Sequence, residues 1–543
     1  MQKKSTMKRL LYFLLSLPVL SACLDEHPKS QLTEDEAYGS GTSLYYNAVS
    51  TLYNYIGGNE ESQGLQGTYR GVYDYNTFST DEALLPTRGG DWYDGGFWQG
   101  LYLHRWTSAD LPLYNTWTYL YKAVGQCNLS LALLERYGQQ LSSHELQVCQ
   151  AEVRSLRALF YFYLMDLFGN VPLVTTDLEE TQDVSQSGRN AVYRFVVSEL
   201  EEALPYLYPQ KSQNEGYYYG RMTQPVAYFL LAKLALNAEV FSDDDWTDGQ
   251  RPDGKQIFFE VDGQRLNAWE TTMAYCQKLA DFGYRLEEDY RSNFAIGNEN
   301  SCENIFTIPI DKTLYTNWFR YLFRSRHYNH GAALGMDAEN GTAATCSTVR
   351  TFGYGTSDID TRYYYNFFSD SVRVDGNLVY LDNGEPLIYH PLEVKLDLTG
   401  SPYEKTAGAR MSKYEIDRTA YNDGWLQSND IVLFRYGDAL LMVAEAKVRN
   451  GQDGSDELNQ IRHRVGMADR KATLDTLLDE RLMELMWEGW RRQDLVRFGR
   501  FTTAYDERPQ LPGEASGYTT VFPIPSKARD LNKNLRQNSG YED

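Results

Sequence analysis

Eleven residues of the chain, from position 88 to 98, carry an unusual mix of flat rings and planar polar groups: Arg88, Asp91, Trp92, Tyr93, Asp94 and Trp98. A sugar presents C–H groups on one face and hydroxyls around its rim. An exposed indole or phenol covers the face, while Arg and Asp side chains read the hydroxyls. Glycines at 89, 90, 95 and 96 let the backbone bend and a ligand come close. The competing reading is that Trp92 and Trp98 pack inward and brace a long loop. Aromatic residues make up 14% of the chain, most of them among its 43 tyrosines, which suits a surface that grips partly apolar ligands yet stays soluble.

Other chemistry is weakly supported. Asp81-Glu82 and Glu287-Glu288 are adjacent carboxylates, whereas a glycosidase needs two that face each other across a cleft of about 5–10 Å. Neighbours on a strand or helix point apart, and no nucleophile elbow, zinc-protease or phosphate-loop motif appears, so catalysis is not expected. Of the six cysteines, the five beyond Cys23 (Cys127, Cys149, Cys276, Cys302 and Cys346) contain no Cys-x-x-Cys pair and are odd in number, so neither a disulfide framework nor a zinc site follows. His327 and His330 are close, but nothing completes a metal set around them. No cofactor is expected. Calcium is the one cation with a candidate, the acidic turn 243–248, which lacks the glycine and closing glutamate of the known loop and reads better as a solvated turn.

The N-terminus decides where the chain works. A basic start with Lys3, Lys4, Lys8 and Arg9 precedes a short apolar run ending in Leu20-Ser21-Ala22-Cys23. The run is too short for a permanent membrane span, and its end has the form of a bacterial lipobox. Residues 1–22 therefore read as a lipoprotein signal peptide, Cys23 as the lipidated residue, and 23–43 as an acidic tether. Several acyl chains on one cysteine anchor stably where a single chain does not. The formal charge of −22 argues against nucleic acid as a partner and against a basic membrane patch.

The elements that must position the loop are helical. Apolar spacing begins near Leu44 and weakens over 57–100, which reads as a loop. It returns at 114–137 and at 143–167, where Leu146, Val153, Leu156, Phe160, Tyr163 and Leu167 form one stripe. Ser143 is a plausible cap there without a full capping box, and Gly169 and Pro172 end the helix. Helices follow at 190–206, 223–241 and 269–282. Residues 290–429 are rich in Gly, Asn, Asp, Thr and Tyr and read as an irregular insertion with short strands such as 304–308. Helices resume at 430–449, 455–465 and 474–498 before a coil tail. The expected organisation is an N-terminal helical region (44–289), the insertion (290–429) and a C-terminal helical region (430–543). The fold class is mainly α, with tetratricopeptide-type helix pairs, although no clean 34-residue consensus is present.

Several blocks taken in order resemble the RagB/SusD family of outer-membrane nutrient-binding lipoproteins. They include Ala151-Glu152-Val153-Arg154-Ser155-Leu156-Arg157-Ala158 running to Leu167-Phe168-Gly169-Asn170-Val171-Pro172, then Gly220-Arg221-Met222-Thr223, then Phe434-Arg435-Tyr436-Gly437-Asp438-Ala439. Glu480-Arg481-Glu484-Glu488-Gly489-Arg491-Asp494 and Phe522-Pro523-Ile524-Pro525 complete the pattern. Gly437 and Val443 depart from it, standing where bulkier or more polar residues are expected. The resemblance implies a non-catalytic receptor anchored in the outer membrane, exposed at the cell surface. It would capture an oligosaccharide and deliver it to a SusC-like TonB-dependent transporter. It also implies a site shared between the 57–100 loop and the insertion, where Tyr315, Asn317, Trp318, Tyr328 and Asn340 are the candidates. A peptide receptor of the same architecture and a surface glycoside hydrolase are the alternatives. The helix-borne Glu152, Arg154, Arg157, Glu480, Arg481, Glu484 and Arg491 are expected to pair with one another, with neighbouring helices or with loop carbonyls, and Trp487 and Trp490 to be core.

Overall fold

The computed structural model describes residues 34–58, 60–66, 68–176, 184–213, 216–313, 324–421 and 424–541. Its principal helices are α1 (Gly41–Ala48), α2 (Val72–Phe78), α3 (Phe97–Tyr102), α4 (Leu111–Tyr137), α5 (Ser143–Phe168), α6 (Arg189–Ala203), α7 (Gln224–Leu236), α8 (Ala268–Asp281), α9 (Tyr328–Leu334), α10 (Tyr436–Arg449), α11 (Ser455–Arg464), α12 (Leu474–Leu485) and α13 (Arg491–Arg497). No helix among the described residues is long and apolar enough to cross a membrane.

Successive long helices pack on their chain neighbours: α4 on α5, α5 on α6, α7 on α8 and α10 on both α11 and α12. That side-by-side order is the mark of a helix-pair array. Helix α8 also packs on α10, although about 150 residues separate them, so the insertion interrupts the chain without interrupting the array. One buried apolar cluster runs through the whole, from Leu44 to Leu535.

Local chemistry explains the helix ends, with some differences from the sequence reading. Helix α5 starts from a full capping box, with Ser142 as the cap: its hydroxyl accepts from Glu145 N–H while the Glu145 carboxylate accepts from Ser142 N–H at 2.9 Å. From Ala151 to Phe168 every side chain of α5 except Arg154 is buried, so the apolar stripe understates a helix surrounded on all sides. The expected helix 430–449 begins instead as a strand, Ile431–Arg435, whose residues are buried on both faces. The expected helix 474–498 is two helices, because the chain turns through Trp487 and Gly489, both at positive φ. The 57–100 loop contains α2 and α3, which its glycine content concealed.

The described strands form only two-stranded sheets. Two of these tie the insertion to the helices. Strand β1 (Ala83–Leu84) pairs antiparallel with β3 (Ala343–Ala344), joining the N-terminal loop region to the insertion. Strand β2 (Asn304–Ile308) pairs antiparallel with β4 (Ile431–Arg435), with the register shifting between Val432 and Arg435. Cys127, Cys149, Cys276, Cys302 and Cys346 are unpaired, as their spacing suggests.

Beside β4 lies a buried cluster of charge. Arg435 reaches Glu303 at 2.8 Å, Glu484 at 2.6 Å and Glu488 at 2.8 Å. Arg362 reaches Asp360, Glu480 and Glu484, Arg464 reaches Glu303 and Glu484, Arg462 reaches Glu480, and Lys413 reaches Glu488. Gly437 is accounted for here. A Cβ at that position would come within 2.5 Å of Arg435 Nη1 and 2.7 Å of Glu303 Oε1, so a bulkier residue would push the cluster apart.

Candidate functional site

The segment 87–98 is held from beneath by Arg88. Its side chain is fully buried and donates to the carbonyls of Gly341 (3.3 Å), Glu404 (3.0 Å) and Ala407 (2.9 Å). The guanidinium therefore faces carbonyl oxygens inside the protein and not solvent, which corrects its expected part as a reader of hydroxyls. Trp98 is also inside, 1% exposed, its indole N–H given to Asp94 at 2.7 Å. Phe78 and Phe97 pack edge-on against its ring. For Trp98 the bracing reading is the correct one, since an indole enclosed by rings has no free face.

The outer layer is different. Tyr93 is 55% exposed and Tyr328, at the start of α9, 43% exposed. Trp92 is half-buried, its ring packed near Tyr69 and Trp98 and its indole N–H donated to the Glu339 carbonyl at 2.8 Å. Gly341 is required beneath it: a Cβ there would stand 2.7 Å from the indole ring. Asp91 accepts from the Tyr328 hydroxyl at 3.0 Å and from Lys405 Nζ at 2.8 Å. The Lys405 and Tyr328 hydrogen bonds hold the Asp91 carboxyl below its ordinary value against the opposing effect of burial. Burial and the same hydrogen bond push the Tyr328 phenol up to about 12.

Backbone strain gathers at this place. Trp92 (φ 62), Asp94 (φ 42), Arg70 (φ 51) and Asn340 (φ 50) all occupy left-handed conformations that non-glycine residues seldom adopt. They belong to one structure: Arg70 bridges to Asp94 at 2.7 Å, and Asn340 sits between Glu339 and Gly341, which hold Trp92. Each such residue costs about 1–3 kcal/mol, and strain of this kind collects where surrounding contacts over-determine a functional geometry.

The structure thus brings together Asp91, Trp92, Tyr93 and Tyr328 at one surface, with Asp94 tied to Arg70 at its edge. Asn340 is adjacent but completely buried, and among the described residues its amide finds no hydrogen-bond partner. Tyr315, Asn317 and Trp318 lie outside the described residues, as does Cys23. Lys405 and Tyr69 escaped the sequence reading. Lys405 stands in a Tyr-Glu-Lys stretch with no signal of its own, and only the fold places it on Asp91. Tyr69, whose hydroxyl donates to Glu339, lies within the loop but outside its aromatic cluster.

Two other places fit a sugar less well. A groove of about 500 Å³ between α4 and the C-terminal tail is walled by Trp117, Tyr121, Val174, Leu531 and Leu535, with few groups to satisfy hydroxyls. In the acidic turn 243–248 the carboxylates cap their own backbone, Asp243 accepting from Asp245 N–H and Asp248 from Gln250 N–H. Among the described residues no group of three or more His, Cys, Asp or Glu side chains is arranged to hold a metal ion.

Known proteins agree with this architecture. A model of the SusD family matches residues 395–541, and one described as starch-binding associating with outer membrane matches residues 62–236. The chain is 24% identical over 518 residues to the starch-binding protein SusD of Bacteroides thetaiotaomicron, covering 89% of this chain and 87% of that one. A SusD-like protein of Bacteroides fragilis superposes with a TM-score of 0.70 at 19% identity, covering 94% of this chain and 99% of the other. Surface glycan-binding protein A of Bacteroides thetaiotaomicron, in complex with laminarihexaose, superposes with a TM-score of 0.68 at 19% identity over 92% of this chain and 99% of that one. With the helix-pair array, the interposed insertion and the ordered sequence blocks, these matches place the chain in the SusD/RagB family.

Proposed function

We propose that this chain is a cell-surface lipoprotein that binds an oligosaccharide and passes it to a SusC-like TonB-dependent transporter in the outer membrane. The observation that carries the reading is the strained turn at Trp92, which presents the exposed phenol of Tyr93 on the same surface as Tyr328, itself joined through Asp91 to Lys405. Rings for the sugar face and charged groups for its hydroxyls meet on one open surface. The glycan-binding relatives support the ligand class, and the lipobox supports the anchor at Cys23.

The reading is one of binding without chemistry. Asp81 is held by Arg491 at 2.7 Å, and Glu82 is buried against Trp487 N–H, where burial pushes it up to about 8. Glu287 accepts from Cys302 N–H. Neither adjacent pair presents two carboxylates across a cleft.

Titration calorimetry of the purified chain against a panel of neutral oligosaccharides tests the proposal. Tyr93→Ala and Tyr328→Ala are each expected to weaken binding about tenfold, the worth of one stacked ring, with an unchanged melting temperature. A wild type that binds no glycan, or binding indifferent to both substitutions, would reject it. Trp98→Ala is unsuitable as a site probe, since that ring is core.

A further inference from the structure

A second cluster of tyrosines lies on the helical side of the molecule, with no residue of 87–98 among its walls. Its centre is Arg221. The guanidinium stands 4.2 Å from the ring centre of Tyr217, 4.9 Å from Tyr45 and 5.1 Å from Tyr208, and it is ion-paired with the fully buried Glu152. Glu152 also accepts from the Tyr53 hydroxyl at 2.7 Å. Two cavities open on either side of Arg221 and Tyr45, which line both. The larger, about 420 Å³, is walled by Thr42, Tyr46, Gln140, Tyr208 and Tyr217. The smaller, about 270 Å³, is walled by Tyr53, Asn54, Tyr219 and Pro309.

The chemistry of these walls narrows the ligand. Arg221 is spent on Glu152, so the chamber holds no free cation for an anionic group. Glu145, the one carboxylate on these walls, is engaged with the N–H and hydroxyl of Ser142 at the start of α5. What remains is a set of rings with amide and hydroxyl groups between them. One face of Tyr217 is covered by the guanidinium, yet the residue is 60% exposed, so the opposite face is presented outward. Tyr46, beside it on α1, is 59% exposed. Volumes of a few hundred cubic ångströms suit one or two sugar rings.

We propose that this tyrosine chamber is a second carbohydrate site, taking a short neutral glycan or a separate stretch of the chain held at Trp92. The proposal rests on the reading that the cargo is a carbohydrate. Two weak sites on one receptor would hold a polymer more firmly than either alone, because the second contact is made at high effective concentration.

The test uses a pool of neutral oligosaccharides of two to eight units, passed over the immobilised protein. Four forms are compared: wild type, Trp92→Ala/Tyr93→Ala, Tyr46→Ala/Tyr217→Ala, and the combination of all four substitutions. Retention by the loop double variant that falls about tenfold further in the quadruple variant is the expected result. Should the loop double variant retain nothing, the chamber is not a site, while the loop reading stands. Retention lost with the tyrosine pair alone and untouched by the loop pair would uphold the chamber and sink the loop. No retention by the wild type would overturn both. Arg221 and Glu152 are left intact so the fold is kept, and Tyr46→Ala alone, on an exposed helix face, serves if the double variant is unstable.

Discussion

Buried arginines do opposite work in the two halves of this molecule. In the cluster beside β4, Arg435 and Arg362 face only carboxylates and a carbonyl, and although burial opposes their charge, the carboxylates lift both well above the ordinary guanidinium value. Under the loop, Arg88 and Arg410 face carbonyl oxygens alone: Arg410 donates to Ser325 O at 2.9 Å and to Lys405 O at 3.2 Å. Burial depresses Arg410 to about 10 and holds Arg88 well below the ordinary guanidinium value, with Arg410 adding to the effect on Arg88. Each side has an exception: Arg324 is paired with the buried Asp74 at 2.7 Å, and Arg189 on α6 donates to the Asp243 carbonyl at 2.9 Å. The contrast follows from secondary structure. Helices satisfy their own carbonyls, so an arginine between them needs a carboxylate. Irregular chain leaves carbonyls unpaired, and the five donors of one guanidinium can gather several of them.

The largest effect expected from that contrast lies in the helical cluster. Glu484→Ala strips a shared partner from Arg362, Arg435 and Arg464 at once. Breaking a buried pair from one side costs about 3–5 kcal/mol, because the remaining charges are stranded. A marked fall in the denaturation midpoint, or loss of soluble protein, is the expected outcome. A shift within the error of the wild type would show that the cluster is not compensated as described.

Carboxylates obey the same rule, and pH separates them. Glu445 is buried, which raises it, but Arg497 and Arg449 outweigh this and bring it down to about 2. Its contribution is present above its unfolded value near 4.5 and is lost as pH falls toward 2. Asp430 has neutral donors instead of cations: Tyr219 and Thr307 hydroxyls and Ile310 N–H. Burial pushes it up to about 6 against their pull. Its contribution is therefore fully present below its unfolded value near 3.8 and is lost as pH rises through 6, an effect of roughly 3 kcal/mol. Denaturation midpoints of wild type and Asp430→Asn between pH 4 and 7 check this. The wild type should lose stability across that window relative to the variant, and parallel profiles would contradict it.

How much of this could be read from the sequence divides along the same line. The helix-borne Arg and Glu residues announce their role through spacing: Arg154 and Arg157 pair with Glu199 and Arg481 with Asp438 across helices, and Arg491 reaches Asp81 in the turn after α2. A 3.6-residue period also reveals α4, α5 and α8 to within a few residues. It does not reveal that 431–435 is a strand, since a short run buried on both faces has no period to distinguish it from a helix. At the loop, the composition of 88–98 marks the right stretch of chain but not the direction of each ring. Trp92 and Trp98 look equivalent as letters. Their separation depends on the Gly341 surface under one and the Phe78 and Phe97 rings around the other, contacts set partly by chain about 250 residues away. Lys405 and Arg88 were unreadable for the same reason, because their partners come from distant irregular chain.

Paired substitutions bring out the smallest difference most directly. Arg435→Met would leave Glu303, Glu484 and Glu488 short of a cation and belongs with Glu484→Ala in size. Arg88→Met leaves carbonyls of Gly341, Glu404 and Ala407 short of donors, a cost of about 1–3 kcal/mol for each buried group that water does not reach. It also removes a buried charge that has no carboxylate partner, which offsets part of that cost. A net loss of about 2 kcal/mol is expected, confined to the loop side. Hydrogen exchange should quicken at 87–98 and 404–407 and stay unchanged in α5, while affinity for glycan falls because the mount of Trp92 is loosened. Equal destabilisation by the two methionine variants, or exchange that quickens in the helices instead, would mean that the two kinds of buried arginine are not distinct.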